Sequence, residues 1–235
     1  LAAGGCATSH LDSARYTFYQ GHPEQAAQRL DRLNPSGKDE VLVKFAASPI
    51  NPSDLAFLDG NYGFDSPPPV VPGGEGSGTV VAVGPGAMGR YFLGKRVACL
   101  SRGEGNGIWA EYVLASTRGG AFPLNESVSL EQGAMSIINP LTASAFLDIT
   151  KAGGHEAIVL TAAASSLGQM VNRLGRSEGL QVINVVRREA QVDLLKAQGA
   201  DVVLNSNEGD FDGLLHDACH QYDARLAFDA VAGLM

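Results

Sequence analysis

Cysteine is scarce in this 235-residue chain: Cys6, Cys99 and Cys219 are odd in number and widely spaced. That arrangement fits neither a disulfide framework nor a CxxC zinc lobe, and it points to a reducing compartment. Positive charge is short as well, with 17 Lys and Arg against 25 Asp and Glu for a net charge of −8. A nucleic-acid binder that tracks phosphates would show a basic face, so the balance argues against that class. Long apolar runs are missing too. The longest stretches free of Asp, Glu, Lys and Arg are 132–147 and 157–172, sixteen residues each and interrupted by polar groups. Both fall short of the ~20 apolar residues that cross a bilayer, and no membrane span is expected. No repeat shows at a period of 20 to 50 residues, which argues against a solenoid or propeller.

What is present is an apolar mass. Hydrophobic residues make up 45% of the chain and charged residues 18%, the balance of a globular protein with one large core or two modest ones. Glycine is in excess at 29 residues, about 12% against roughly 7% in average chains. Many tight turns and close backbone approaches are therefore expected. Residues 1–13 are rich in small side chains but lack the basic start and apolar run of a secretory signal. They are set aside as a flank, tag or processed end.

The pattern changes near residue 130. Before it, short β-like runs at 15–19, 40–46, 78–83, 95–100 and 110–114 are punctuated by Gly and Pro, predicting an irregular all-β region with barrel-like closure. Ser129, followed three residues later by Gln132, forms a capping box that opens a helix. Beyond it, strands at 157–161, 181–186, 202–204 and 226–230 alternate with helices at 168–174, 190–198 and 210–220, the second closed by Gly199. Repeated βα units predict an α/β fold with a doubly wound parallel sheet. Such a sheet has about six strands when it holds a dinucleotide. Four precede Met235, so the expected sheet is incomplete.

The first βα turn reads Ala162-Ala163-Ala164-Ser165-Ser166-Leu167-Gly168. Small residues there let backbone N–H groups approach a pyrophosphate at a helix N-terminus. Only Gly168 remains of a GxGxxG fingerprint, and an ordinary tight connection reads the same way. The next strand ends in Arg187-Arg188, nineteen residues past Gly168, and dinucleotide folds place the group that reads the adenosine ribose about 20 residues on. An acid there accepts from a 2′-hydroxyl, whereas a guanidinium pair suits a 2′-phosphate. NADPH is expected over NADH; the alternative is a pair that merely solubilises a strand end. Asn139 and Thr142, in Asn139-Pro140-Leu141-Thr142-Ala143, carry polar groups that fit a nicotinamide ribose or amide and equally fit a capped turn. Tyr62, between Asn61 and Gly63, is either an aromatic plug or a loop hydroxyl free to meet a ligand as a proton donor. Asp212, His216 and His220 share a helix face at a spacing able to bind metal, but a solvated face explains them and no metal is assigned.

In order and spacing, INPSD (50–54), GNYG (60–63), VPGGEGSG (71–78), NPLTA (139–143) and INVVRR (183–188) resemble the zinc-free medium-chain dehydrogenase/reductase superfamily. The resemblance is nearest to its trans-2-enoyl-thioester (enoyl-CoA and enoyl-ACP) reductases and quinone oxidoreductase-like proteins, and it covers roughly residue 14 to the C-terminus. It implies a GroES-like β-barrel catalytic domain over 14–138 and an incomplete Rossmann NADP-binding domain over 139–235. It also implies roles: Tyr62 as proton donor, Asn139 on the cofactor, Ala164, Ser165, Ser166 and Leu167 in the pyrophosphate loop, and Arg187, Arg188 and Glu189 in the adenosine-phosphate segment.

Zinc-dependent relatives carry a metal-binding Cys and a His-Glu pair where this chain has Ser53 and Gly74-Glu75, and the structural-zinc cysteines are missing between Cys99 and Tyr112. No metal is expected. The loop departs from the family's AAGGVG or NSGVG forms at Ser165-Ser166, where the hydroxyls would have to serve as donors. The expected function is NADPH-dependent reduction of an activated carbon–carbon double bond. A quinone reductase is the alternative enzyme, and a non-catalytic NADPH-binding or structural protein the alternative class. Expected partners are a small-molecule substrate and, in a full-length form, a second copy of the chain. The expected location is the cytoplasm, or the mitochondrion if residues 1–13 are the remnant of a transit peptide.

Overall fold

The computed structural model describes residues 34–61, 70–101 and 107–231. The strand expected at 15–19 and Tyr62 lie outside them. The chain divides into two compact units, one running to Ile138 and the other from Asn139.

In the first unit, β1 (Glu40–Ala47), β2 (Glu75–Val83), β3 (Arg96–Leu100), β4 (Tyr112–Ser116) and β5 (Ala121–Pro123) form an antiparallel sheet in the order β4-β1-β2-β3-β5. Alternation along β1 sets its faces, with Val41 and Val43 buried and Lys44 exposed. The two valines join Val80, Phe92, Val97 and Cys99 in the core. β4 and β5 lie at opposite edges of the sheet, yet only residues 117–120 separate them. The sheet must therefore curl to bring its edges together.

β2 starts at Glu75, ahead of the expected 78, because glycines let it lie close to its neighbour. A Cβ on Gly78 would fall 2.2 Å from the Lys44 carbonyl oxygen. β4 starts at Tyr112 rather than 110 because Ala110 N turns back to donate to Ile108 O (2.6 Å) instead of a ladder. Among the described residues, helices α1 (Pro52–Leu58), α2 (Ala87–Phe92) and α3 (Leu130–Ala134) accompany the sheet. The capping box read from the sequence forms: Gln132 N donates to Ser129 Oγ (3.2 Å) and Ser129 N to Gln132 Oε1 (3.0 Å).

The second unit repeats helix and strand: α4 (Ile138–Ala152), β6 (Ala157–Leu160), α5 (Ser166–Ser177), β7 (Gln181–Val186), α6 (Glu189–Ala197), β8 (Val202–Asn205), α7 (Phe211–Gln221) and β9 (Leu226–Phe228). All strand pairs are parallel, in the order β8-β7-β6-β9. The strands step outward from β6 to β8 before the chain returns to the other side of β6. That reversal puts the switch point of the sheet, where such folds bind ligands, at the carboxyl end of β6. Ile158, Leu160, Val171, Val182 and Leu195 fill the core, and Phe146 stacks on Phe228 with ring centroids 4.0 Å apart.

Gly199, at φ 85°, ends α6 as expected. β9 stops at Phe228, two residues early, because Ala230 N turns to donate to Thr161 Oγ1 (2.8 Å) and Val231 N to Asp229 Oδ1 (3.0 Å). Asn184 is buried in the middle of β7, where its amide donates to the carbonyls of Val182 (3.1 Å) and Val202 (3.0 Å) and its oxygen accepts from Asn172 Nδ2 (2.6 Å).

Candidate cofactor site

β6 leads into a turn in which Ala162 takes φ 46°, the left-handed region that costs a residue with a Cβ about 1–2 kcal/mol. The turn is held by Ser165 N on Ala162 O (2.8 Å) and Ala163 N on Val185 O (3.3 Å). Ser165 caps α5, its Oγ accepting from Gly168 N at 3.1 Å. Gly168 is dictated by packing, since a Cβ there would sit 2.3 Å from Ala163 O. Ser166 and Leu167 open the helix, where first-turn amides have no intrahelical acceptor. With the helix dipole, those amides favour an anion. Ser165 spends its oxygen on the cap and keeps its hydroxyl proton to donate.

A cavity of about 500 Å³ lies at the carboxyl ends of β6, β7 and β8. Val185, Val186 and Val231 give it an apolar wall, and Thr161 and Ala162 enter from the turn. Arg187, Arg188, Gln191, Ser206 and Asn207 ring it with polar groups. Both arginines are exposed, and neither has an ion-pair partner among the described residues.

Of the site residues read from the sequence, Arg187 and Arg188 meet at this cavity. Glu189 is exposed at the start of α6, Asn139 and Thr142 are half-buried near the start of α4, and Ala164, Ser165, Ser166 and Leu167 follow the turn into α5. None of these lines the cavity. Ser206 and Asn207 escape sequence reasoning because they arrive through the pairing of β8 with β7, which no local motif records, and Gln191 because nothing in its own segment marks which way its side chain turns from α6. A polar residue one turn into α6 and Ser-Asn after a short strand are the only local signals.

Two motifs of the first unit resolve into a buried carboxylate network. Asp54 accepts from Asn51 N through Oδ2 (2.7 Å) and from Gly74 N through Oδ1 (2.9 Å). Glu75, 1% exposed, accepts from Asn51 Nδ2 through Oε1 (3.1 Å) and from Ile137 N (3.1 Å) and Ile138 N (2.9 Å) through Oε2. Both acids are thus engaged by neutral donors, which is a positioning role. Among the described residues no three His, Cys, Asp or Glu side chains converge on a metal position. His216 and His220 stand with ring centroids 4.6 Å apart on α7, with His216 Nδ1 3.5 Å from Asp217.

A curled antiparallel unit is thus followed by a parallel βα unit with a polar-ringed cavity at its strands' carboxyl ends, where doubly wound sheets bind their ligands. Residues 37–126 match the alcohol dehydrogenase GroES-like domain. The chain is 34% identical over 195 residues to the mitochondrial enoyl-[acyl-carrier-protein] reductase of Arabidopsis thaliana, a match covering 80% of this chain and 51% of that protein. A candidate NADPH:quinone reductase from Mesorhizobium loti, solved crystallographically, is 40% identical with a TM-score of 0.78 over 86% of this chain and 58% of that one. A mycobacterial protein solved with NADPH is 27% identical, with a TM-score of 0.67 over 80% of this chain and 57% of that one. The chain spans about half the length of the curated relatives it matches. It belongs to the zinc-free medium-chain dehydrogenase/reductase superfamily.

Proposed function

We propose that the protein uses NADPH to reduce an activated carbon–carbon double bond, that of a 2-enoyl thioester. The observation that carries this reading is the Arg187-Arg188 pair, exposed, without ion-pair partners among the described residues, and lining the cavity at the end of β7. The cavity, at about 500 Å³, has the size of a small-ligand site. Its apolar wall suits an adenine, and two guanidinium groups suit a 2′-phosphate through charge-assisted contacts. The residues present therefore fit the cofactor.

In this reading Arg187 and Arg188 hold the 2′-phosphate, with Glu189 beside them. The amides of Ser166 and Leu167, with the Ser165 hydroxyl and the small Ala164, receive the pyrophosphate. Asn139 and Thr142 orient the nicotinamide end. A nicotinamide held there would supply the hydride for the β-carbon of the substrate. Tyr62 delivers a proton to the α-carbon while negative charge on the thioester oxygen is relieved. Orientation and preorganised donors are the protein's share of the rate.

Relatives named mitochondrial enoyl-ACP reductases support the thioester, and they support the mitochondrial location over the cytoplasmic one. The 40% identity to a candidate NADPH:quinone reductase supports a second reading, hydride delivery to a quinone. Following NADPH consumption with crotonyl thioester and with a small quinone separates them. Consumption with the thioester and formation of its saturated product is the expected result. Consumption with the quinone alone replaces the first reading by the second, and saturable NADPH binding with no turnover on either leaves a non-catalytic binding protein. Tyr62→Phe is expected to lower thioester turnover ~10²- to 10⁴-fold; unchanged turnover removes Tyr62 from the path of the proton.

A further inference from the structure

Long guanidinium side chains are flexible, so what fixes them for a ligand is the backbone that carries them. The peptide groups of Arg187 are tied on both sides by side chains of other positions. Its N–H donates to Gln191 Oε1 at 3.1 Å, and its carbonyl accepts from Asn207 Nδ2 at 2.6 Å. Gln191 is in the first turn of α6, and its side chain reaches past Arg188, the residue at the helix start, to the main-chain N–H of Arg187. Asn207 lies twenty residues from Arg187, on the segment after β8. That segment is itself docked: Ser206 N donates to Val186 O at 2.7 Å and Asn207 N to Asn205 Oδ1 at 3.2 Å. Gln191, Ser206 and Asn207 all line the same cavity as the arginines.

We propose, resting on the NADPH reading above, that Gln191 and Asn207 are positioning residues for 2′-phosphate recognition. They hold the Arg187 main chain from opposite sides, so that the choice between phosphorylated and plain adenosine ribose depends on the segment after β8 as well as on the arginines. Both sit at the surface of the unit, half-buried and exposed respectively. Gln191→Met, which keeps length and helix propensity, and Asn207→Leu remove the two tethers without touching the core.

The test is calorimetric titration of the full chain with adenosine 2′,5′-bisphosphate and with adenosine 5′-monophosphate. The wild-type chain is expected to bind the bisphosphate more tightly. Each substitution is expected to lower bisphosphate affinity about fivefold, as loss of one ordinary hydrogen bond does, and to leave monophosphate affinity within about twofold. Arg187 amide hydrogen exchange is expected to speed up in Gln191→Met, which reports the lost tether independently of any ligand. Equal losses for both nucleotides would mean a merely structural role and overturn the proposal. So would an unchanged ratio, an unchanged Arg187 exchange rate, or a wild-type chain that does not prefer the bisphosphate. The reductase reading fails separately: a chain that shows the preference and its loss in the variants, but reduces neither thioester nor quinone, keeps this inference and loses that one.

Discussion

A methyl group added to Gly168 would meet backbone rather than a side chain able to swing away. Its Cβ would lie 2.3 Å from the Ala163 carbonyl oxygen and 2.5 Å from the carbonyl carbon, in a turn already bent by the left-handed Ala162. Gly168→Ala is expected to cost about 3 kcal/mol, read as a lower urea midpoint; a midpoint equal to wild type would mean that the turn relaxes freely. Gly168 could be singled out from the sequence because its spacing to Arg187 is regular. Ala162 could not, since its backbone angle follows from how the turn closes. Cys99 offers a second test. Burial pushes its thiol from 9.0 up to about 12. The unfolded chain therefore gives up this proton first as pH rises, so the contribution of Cys99 is level below about 9 and is lost progressively between about 9 and about 12. Denaturation from pH 8 upward is expected to show wild type losing stability more steeply above pH 9 than Cys99→Ala; parallel curves would show that the thiol does not titrate differently in the two states.

Elements of the second unit are legible because each βα repeat carries its own signals: a short apolar strand, a helix of suitable period, and a glycine such as Gly199 at the stop. Their ends shift where tertiary bonds decide, as at β9, which ends when Ala230 N turns to Thr161. In the first unit the strand expected from 78 begins at Glu75, inside VPGGEGSG, where Gly78 permits the approach to Lys44. Glu75, in the middle of that motif, was beyond sequence reasoning for a different reason: its donors are Asn51 and main-chain amides 62 and 63 residues away. Since both carboxylate oxygens accept from N–H groups, the NH₂ of Glu75→Gln would face donors whichever way it turned. That substitution is expected to cost about 2–3 kcal/mol, the scale of hydrogen bonds to a charged group, measured by thermal or urea unfolding. An unaltered midpoint would mean that the amides of Ile137 and Ile138 find other acceptors.

For the molecule as a whole, the fold class was within reach of the sequence because the two halves obey different periods, glycine-broken strands before residue 130 and βα repeats after it. The polar ring of the cavity was only half legible: the arginines follow from spacing, whereas Ser206 and Asn207 depend on β8 lying beside β7 and Gln191 on the turn its side chain takes from α6. Each unit also has a hydrophobic cluster of its own, one built from residues such as Val41, Val97 and Ile108, the other from Ile158, Val171 and Leu195. Separate cores make separate cooperative transitions the expectation. Scanning calorimetry is expected to resolve two. Because the cavity is built wholly from residues 161–231, adenosine 2′,5′-bisphosphate at a hundred times its Kd is expected to stabilise the second unit by about 2.7 kcal/mol and to raise that transition alone. A shift of both transitions together would show that the units unfold as one, and a shift of neither would take the phosphate-bearing ligand away from Arg187 and Arg188.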